Sequence, residues 1–597
     1  MRSRRAFVLL AATMTFGCAP SSTDAPDASP SEDVAIAPDA PPDAGCTALP
    51  GDLPGERRVA AGALLPNLSF TTATGSFSLA DRHVPCALRA ELIVIRVFAA
   101  WSGRSGWHAG HTARLTTHPA RARFSLVDLL VQGPDALPAR VEDLAPFAAR
   151  YDAAPDVLAI DPAETFGALP IAGDPLPEVV LVDARDLRVV RLVSVPRASD
   201  VEDAIDGALA RLDGIAAPAP RERVLADGRF TEDEWDLILG MAYPAAPPAD
   251  PSSAHAGDPA AVALGRALFE DAALSPAGIG CASCHDPARG FGDGLEVGQG
   301  TAELARNTPT LYASALVRWP FWDGRVDSLW AQALGPIENA REMASSRLHV
   351  AHRIDLAHRT AFEAVFGPMP DLSDTARFPA EGMPGDAAWE VMASADRDAI
   401  DRVFASAGKA IAAYERTLAP PHTRFDDYLA GDLEALTSAE RDGLHEYAAD
   451  GCLDCHFGPA LSNGAFHAIG MPGHGSGAEL DVGRSAALAP LTSSAFRRQG
   501  AYSDAPGEPD PLAGIASFPP STIGAFRTPT LRALSATAPY GHAGTFATIR
   551  EVVVHYANVR RPNGTPDPRV AGTLDPHLVG FDEGQRVDAI TAFLGTL

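Results

Sequence analysis

The sequence predicts a multidomain fold, an N-terminal α/β unit followed by a mainly α region, on three observations. Two apolar runs of strand length, residues 91–100 and 124–131, lie early in the chain, with two shorter ones at 179–183 and 189–195. Helical periodicity dominates after residue 260 and is plainest at 397–418. The length, 597 residues, suits about three or four domains rather than one core.

Composition narrows the class. Lys and Arg number 48 against 76 Asp and Glu, a formal charge of −28. That excess of acid argues against a nucleic-acid binder, which needs basic surface to displace counterions from phosphate. The 46% hydrophobic content supplies several cores and excludes a wholly disordered chain. Fifty-two Gly and fifty-two Pro predict long loops, and seven Cys are too few for a disulfide scaffold.

Residues 1–18 open with Arg2, Arg4 and Arg5 and continue through a short apolar run into Gly17-Cys18. The run is too short to span a bilayer and fits a secretory signal peptide. A small residue before Cys resembles a bacterial lipoprotein cleavage site, which predicts a lipid on Cys18 as the one membrane attachment and an exported, periplasm-facing protein. Ordinary signal cleavage that removes Cys18 is the alternative. Residues 19–46 are rich in Ala, Pro and Asp, and the stretch before Cys46 holds six acids and no Lys or Arg. It predicts a disordered tether.

Residues 47–216 form the α/β unit. The runs at 91–100 and 124–131 read as buried strands, 179–183 and 189–195 as a hairpin, and 201–212 as a helix with Ala204, Ile205, Ala208 and Leu212 on one face. The first strand leads into Trp101-Ser102-Gly103-Arg104-Ser105, and Asp174-Pro175-Leu176-Pro177 precedes the hairpin. This order resembles the thioredoxin-like fold of the redoxin type, which implies a cis-proline at Pro177. Where that family carries Cys-x-x-Cys this chain has Ser102 and Ser105, and a Ser hydroxyl can neither ionise usefully nor form a disulfide. A structural or docking role is expected in place of thiol exchange. In an oxidising compartment Cys46 and Cys86 can pair; two separate thiols are the alternative.

The chemistry lies further on. Cys281-Ala282-Ser283-Cys284-His285 and Cys452-Leu453-Asp454-Cys455-His456 are two CxxCH motifs. Two thiols at i and i+3 can form thioethers to the vinyl groups of one haem, and the adjacent His can reach its iron. Zinc fits poorly, because neither cluster has a second ligand pair nearby. The wide spacing of the motifs predicts two cytochrome c-like domains, 217–435 and 436–597, with two covalently bound haem c groups. Residues 397–418 read as an amphipathic helix, 440–449 as a helix leading into the second motif, and 506–520 as a Pro- and Gly-rich loop.

Around these motifs runs an ordered set of segments: LGRALF from Leu264, CASCHDPARGFGDG from Cys281, RNTPT from Arg306, FWDGRVDSLWAQALGPI from Phe321, AIAAYERTL from Ala410, FDDYLAGD from Phe425, RTPTLR from Arg527 and APYGH from Ala538. Together they resemble the bacterial di-haem cytochrome c peroxidases and, within them, the MauG-like branch. The resemblance implies roles by position. Trp322 is the electron relay between the haems. Gln332 and Glu342 are the polar pair over the peroxidatic first haem, the carboxyl moving a proton between the peroxide oxygens. Asn307, with the backbone at Thr537 and Pro539, is a calcium site whose oxygen donors suit a hard cation.

Two departures define the branch. Where the reductively activated members hold a removable His, this chain has Gln299, and no His occurs between His285 and His349. The first haem is therefore expected to be five-coordinate, held by His285. Where those members carry a Met ligand to the second haem, this chain has Tyr556, which with His456 would complete that iron's ligands; neighbouring His555 is the alternative. The resemblance thus implies a cytochrome-c peroxidase-like oxidoreductase that reduces hydrogen peroxide, with a small redox protein as electron donor. A MauG-like oxidase acting on a partner protein remains a second reading, and a non-catalytic electron-transfer cytochrome or redox sensor a third.

Overall fold

The computed structural model describes residues 59–597 apart from 86, 88, 135–136, 162–177, 195–197, 221–224, 476–479, 508–509, 511, 514, 560–566, 576–577 and 579. The expectations for Cys18, Cys46, Cys86 and Pro177 lie outside the described residues.

The α/β unit is built on a seven-stranded sheet: β1 (Ser69–Thr72), β2 (Gly75–Ser78), β3 (Leu92–Ala99), β4 (Phe124–Gln132), β5 (Val157–Ile160), β6 (Glu178–Asp183) and β7 (Arg188–Ser194), in the order β2-β1-β5-β4-β3-β6-β7. Strands β3, β4 and β5 run parallel, and the hairpin β6–β7 is antiparallel to β3. All eight residues of β3 are buried, which is why the central strand reads as an unbroken apolar run. One polar side chain interrupts it. Arg96 forms a two-point pair with Asp128 on β4, 2.8 Å at each contact, and a third bond of 2.6 Å to the His108 carbonyl. That carbonyl belongs to α1 (Gly103–Gly110), so Arg96 fixes the helix that follows β3. Helices α2 (Val141–Tyr151) and α3 (Ala198–Leu212) also belong to the unit. A β-α-β unit followed by a hairpin and a helix, with the hairpin beside the first strand, is the thioredoxin-like arrangement.

The helical region contains two modules with separate cores. In the first, α4 (Pro259–Glu270), α5 (Leu329–Glu338) and α6 (Ser394–Glu415) pack together. A Cβ on Gly265 of α4 would sit 1.8 Å from the Ala410 carbonyl oxygen of α6, so the crossing exists only because that residue is glycine. The second module repeats the device where α7 (Ser438–Ala449) crosses α9 (Gly584–Leu594), a Cβ on Gly443 falling 2.0 Å from the Ala589 carbonyl oxygen. Replacement of Gly265 by Ala is expected to destabilise the first module by about 1–3 kcal/mol, read from urea unfolding of the holoprotein.

The second core also takes in Phe230, Ile238 and Met241 before the first module and Phe425, Tyr428 and Leu436 after it. Residues on both sides of the first module therefore share one core.

Candidate functional site

Each CxxCH motif is one helical turn, Cys281–Cys284 and Cys452–Cys455, closed by the His amide donating to the first Cys carbonyl at 3.0 and 2.8 Å. The imidazoles are set in the same way. His285 Nδ1 donates to the Phe291 carbonyl at 2.8 Å and His456 Nδ1 to the Leu461 carbonyl at 3.0 Å. That bond fixes the tautomer and leaves Nε2 of each ring as the free donor for a metal. Burial lowers both imidazole pKa values, His456 to about 4, so both rings are neutral, as ligation needs.

The two sites share more than their motifs. Residues 306–338 and 526–558 follow one template at a constant offset of 220. Thr310 Oγ1 donates to the Gly290 carbonyl and Thr530 Oγ1 to the Ala460 carbonyl, both at 2.6 Å. Ala313 and Ala533 follow with φ of 58° and 55°, and Ser328 and Thr548 then cap α5 and α8 (Ile549–Asn558). In this register Tyr556 of the second site corresponds to Pro336 of the first. The repeated Thr-Pro-Thr-Leu was visible in the sequence and could have revealed the duplication.

A cavity in the second module is lined by Cys452, Cys455, His456 and Tyr556 and by apolar side chains including Leu531 and Val553. Tyr556 is enclosed there, its phenol pKa raised by burial. Neighbouring His555 is turned away, its Nε2 donating to the Ile469 carbonyl at 2.8 Å. Arg527 also faces the cavity. Its Nε and one terminal amine donate to the backbone carbonyls of Phe321 and Thr528. Among the described residues it has no acidic partner, and burial lowers its pKa to about 10. A buried cation without a carboxylate, two neutral imidazoles and two CxxC pairs suit a haem with its propionates.

Trp322, Asn307, Thr537 and Pro539 line the same cavity. The Trp322 indole donates to the Asn307 carbonyl at 2.9 Å, and the Asn307 amide donates to the His542 carbonyl at 2.9 Å. Asn307 Nδ2 donates to the Leu295 carbonyl at 2.9 Å, which leaves Oδ1 available. Trp322 thus sits where the duplicated segments meet.

In the first module α5 carries Gln332, partly buried, and the turn after the helix carries Glu342. Asn339 Nδ2 donates to Glu342 Oε1 at 2.6 Å. Burial raises the Glu342 pKa, and its carboxylate acts electrostatically on Cys284, which places it beside the first motif. Gln299 is exposed, with its carbonyl 3.6 Å from Cys284 Sγ. Residues that sequence reading did not assign to this region are Trp101, Arg104, His467 and Asp575, all on the wall of the second cavity. No local sequence signal marks them.

The family model for di-haem cytochrome c peroxidase matches residues 259–434. The cytochrome-c peroxidase IdrP2 of Pseudomonas sp. (strain SCT) is 33% identical over 337 residues, 55% of this chain and 82% of that protein. The methylamine utilization protein MauG of Paracoccus denitrificans is 33% identical over 409 residues, 60% of this chain and 93% of its own length.

The chain belongs to the di-haem cytochrome c peroxidase family.

Membership implies covalently bound haem c. A solved MauG-like protein associated with microbial copper homeostasis is 26% identical with a TM-score of 0.43, covering 60% of this chain and 93% of its own. A thiol:disulfide interchange protein from Bacteroides sp. is 14% identical with a TM-score of 0.20, covering 25% of this chain and 91% of its own. As a di-haem cytochrome c peroxidase family member fused to a thioredoxin-like unit, the chain holds Ser102 and Ser105 where that fold's thiols would stand. Ser102 Oγ accepts from the Ser105 amide at 3.2 Å and caps α1.

Proposed function

We propose that this protein reduces hydrogen peroxide to water at the first haem, held by Cys281, Cys284 and His285, with electrons passing from the second haem, held by Cys452, Cys455, His456 and Tyr556. One observation carries the reading: Pro336 occupies the register position of Tyr556, and a Pro side chain offers no ligand. Exposed Gln299 stands where reductively activated members place a His, so nothing in that segment closes the first iron either. The two positions together support an open first site beside a closed second one.

When bound, the iron of the first site supplies the centre at which the peroxide O–O bond is broken. The protein's own groups do the rest. His285, its Nδ1 held by the Phe291 carbonyl, orients the haem. Asn339 occupies Oε1 of Glu342, leaving Oε2 to take a proton from one peroxide oxygen and return it to the other. Gln332 orients the peroxide. Trp322 passes electrons between the two centres. Asn307 Oδ1, with the Thr537 and Pro539 carbonyls, would hold a Ca²⁺ at the junction, since all are hard oxygen donors. The electron donor is a small redox protein, and the compartment is the periplasm, with a lipid on Cys18 holding the protein at the membrane. A MauG-like oxidation of a partner protein is the second reading, favoured by Tyr556 because a phenolate stabilises oxidised iron.

The ferric protein, never reduced, is expected to bind cyanide at one haem of two, seen as a Soret shift in an absorption titration. An unchanged Soret band would reject the open first site.

A further inference from the structure

The loop that carries the redox motif in thioredoxin-like proteins is here packed against the second CxxCH motif. A Cβ on Gly103 would lie 2.8 Å from the Phe457 ring and 3.1 Å from the Leu453 carbonyl oxygen, so the loop approaches as closely as glycine permits. Arg104 donates to the Ala448 carbonyl and lies 3.5 Å from Asp454. Asn463 Nδ2 donates to the Trp101 carbonyl at 3.3 Å. The Trp101 indole is 3% exposed. It clusters with Ala99 and Ala465, a cluster against which Cys455 packs, and its ring meets His467 edge-on at 5.0 Å. His467 Nδ1 is in turn bonded to Asp575 at 2.7 Å.

We propose that the Trp101–Arg104 loop of the thioredoxin-like unit is a wall of the second haem's site, and that Trp101 is the residue through which electrons cross between that haem and the N-terminal unit. The inference rests on the second cavity being a haem site and on peroxide as the oxidant. The geometry supports both parts. Trp101 belongs to the small apolar cluster against which Cys455 packs, the Cys whose sulfur would become a thioether, and Trp101 and Arg104 line the cavity that holds His456 and Tyr556. Indole is among the most readily oxidised side chains. Its Nε1–H donates to Gln132 Oε1 at 2.6 Å, and an amide oxygen does not take the proton. Only an electron therefore moves: the indole loses one to the oxidised second haem, which is reduced by one, and an external one-electron donor returns it. The loss of Cys at positions 102 and 105 is then consistent with a change of task, from thiol exchange to a redox contact without thiols.

The test uses the full-length holoprotein and stoichiometric hydrogen peroxide with no donor. Paramagnetic resonance and peptide mapping follow the radical and its oxidation product. A tryptophan radical and an oxygenated Trp101 peptide are expected, and Trp101→Phe should lose the signal while retaining both haems. Gly103→Val should displace the loop, shift the second haem's absorption and lose the same signal. A Trp101 peptide left unmodified while peroxide is consumed, with the same radical in Trp101→Phe, would overturn the relay alone. A Gly103→Val protein whose second-haem spectrum equals the wild type would overturn the wall. If peroxide leaves both haem spectra unchanged, the peroxidase reading falls, and the relay with it.

Discussion

Glu342→Gln is expected to slow peroxide cleavage by about 10²–10⁴-fold, the range for removing a positioned proton-transfer group. The measurement is the stopped-flow rate of the haem absorbance change on mixing with peroxide. The substitution keeps the shape of the side chain, and its Oε1 can still accept from Asn339 Nδ2, as Glu342 does at 2.6 Å. Cyanide binding and both haem spectra should therefore persist, so the loss falls on the chemical step rather than on access. A pH profile gives a second readout. Burial raises the Glu342 pKa above the ordinary carboxylate range. The first proton transfer requires the carboxylate, so the wild-type rate should fall as pH drops through that raised value. The Gln variant has no such group, and its profile should be flat there. A variant with the wild-type rate and profile would remove Glu342 from the mechanism.

What could be read in advance follows from how locally each feature is encoded. Strands β3, β4 and β6 were legible because they are buried almost throughout, which writes apolar runs into the chain, and β7 was legible as the second arm of a hairpin. Strand β5 was not, since Val157–Ile160 has only four residues, and β1 is polar at three of four positions, Ser69, Thr71 and Thr72. Helix α6 announced itself by its period, whereas the role of Gly265 appears only when α6 lies across it. In the site, CxxCH is complete within five residues, so its chemistry shows in sequence. Tyr556 was reachable by counting along a recognised segment. Arg527 lay inside a quoted motif, but its lack of an acidic partner among the described residues is a property of the packed cavity. The Trp101 contact was beyond reach, because it joins residues 362 positions apart in the chain, and no periodicity or spacing encodes a meeting of two domains. The core shared by residues on either side of the first module was hidden for the same reason: Phe230 and Phe425 each look like ordinary core residues until they meet in one cluster.

Tyr556→Phe is expected to abolish the six-coordinate state of the second haem and leave the first unchanged, as read from absorption and paramagnetic resonance of the ferric protein. The ring lines the second motif's cavity, so Phe retains the packing and removes one oxygen. Burial, and after it the neighbouring Cys455 and Cys452, pushes the phenol's pKa up, so that at neutral pH the protein's own groups would keep it protonated. A cation at the cavity centre reverses that preference, and a phenolate in turn stabilises iron in its oxidised state. The same substitution should therefore raise the second haem's potential in a redox titration. The rival ligand makes the outcome decisive. His555 is spent on the Ile469 carbonyl, and bringing its Nε2 to the iron would require α8 to rotate and break that bond. His555→Ala should accordingly leave both spectra as they are. If Tyr556→Phe changed neither spectrum, the correspondence between Tyr556 and Pro336 would lose its meaning, and the contrast between a closed second site and an open first one would need another physical basis.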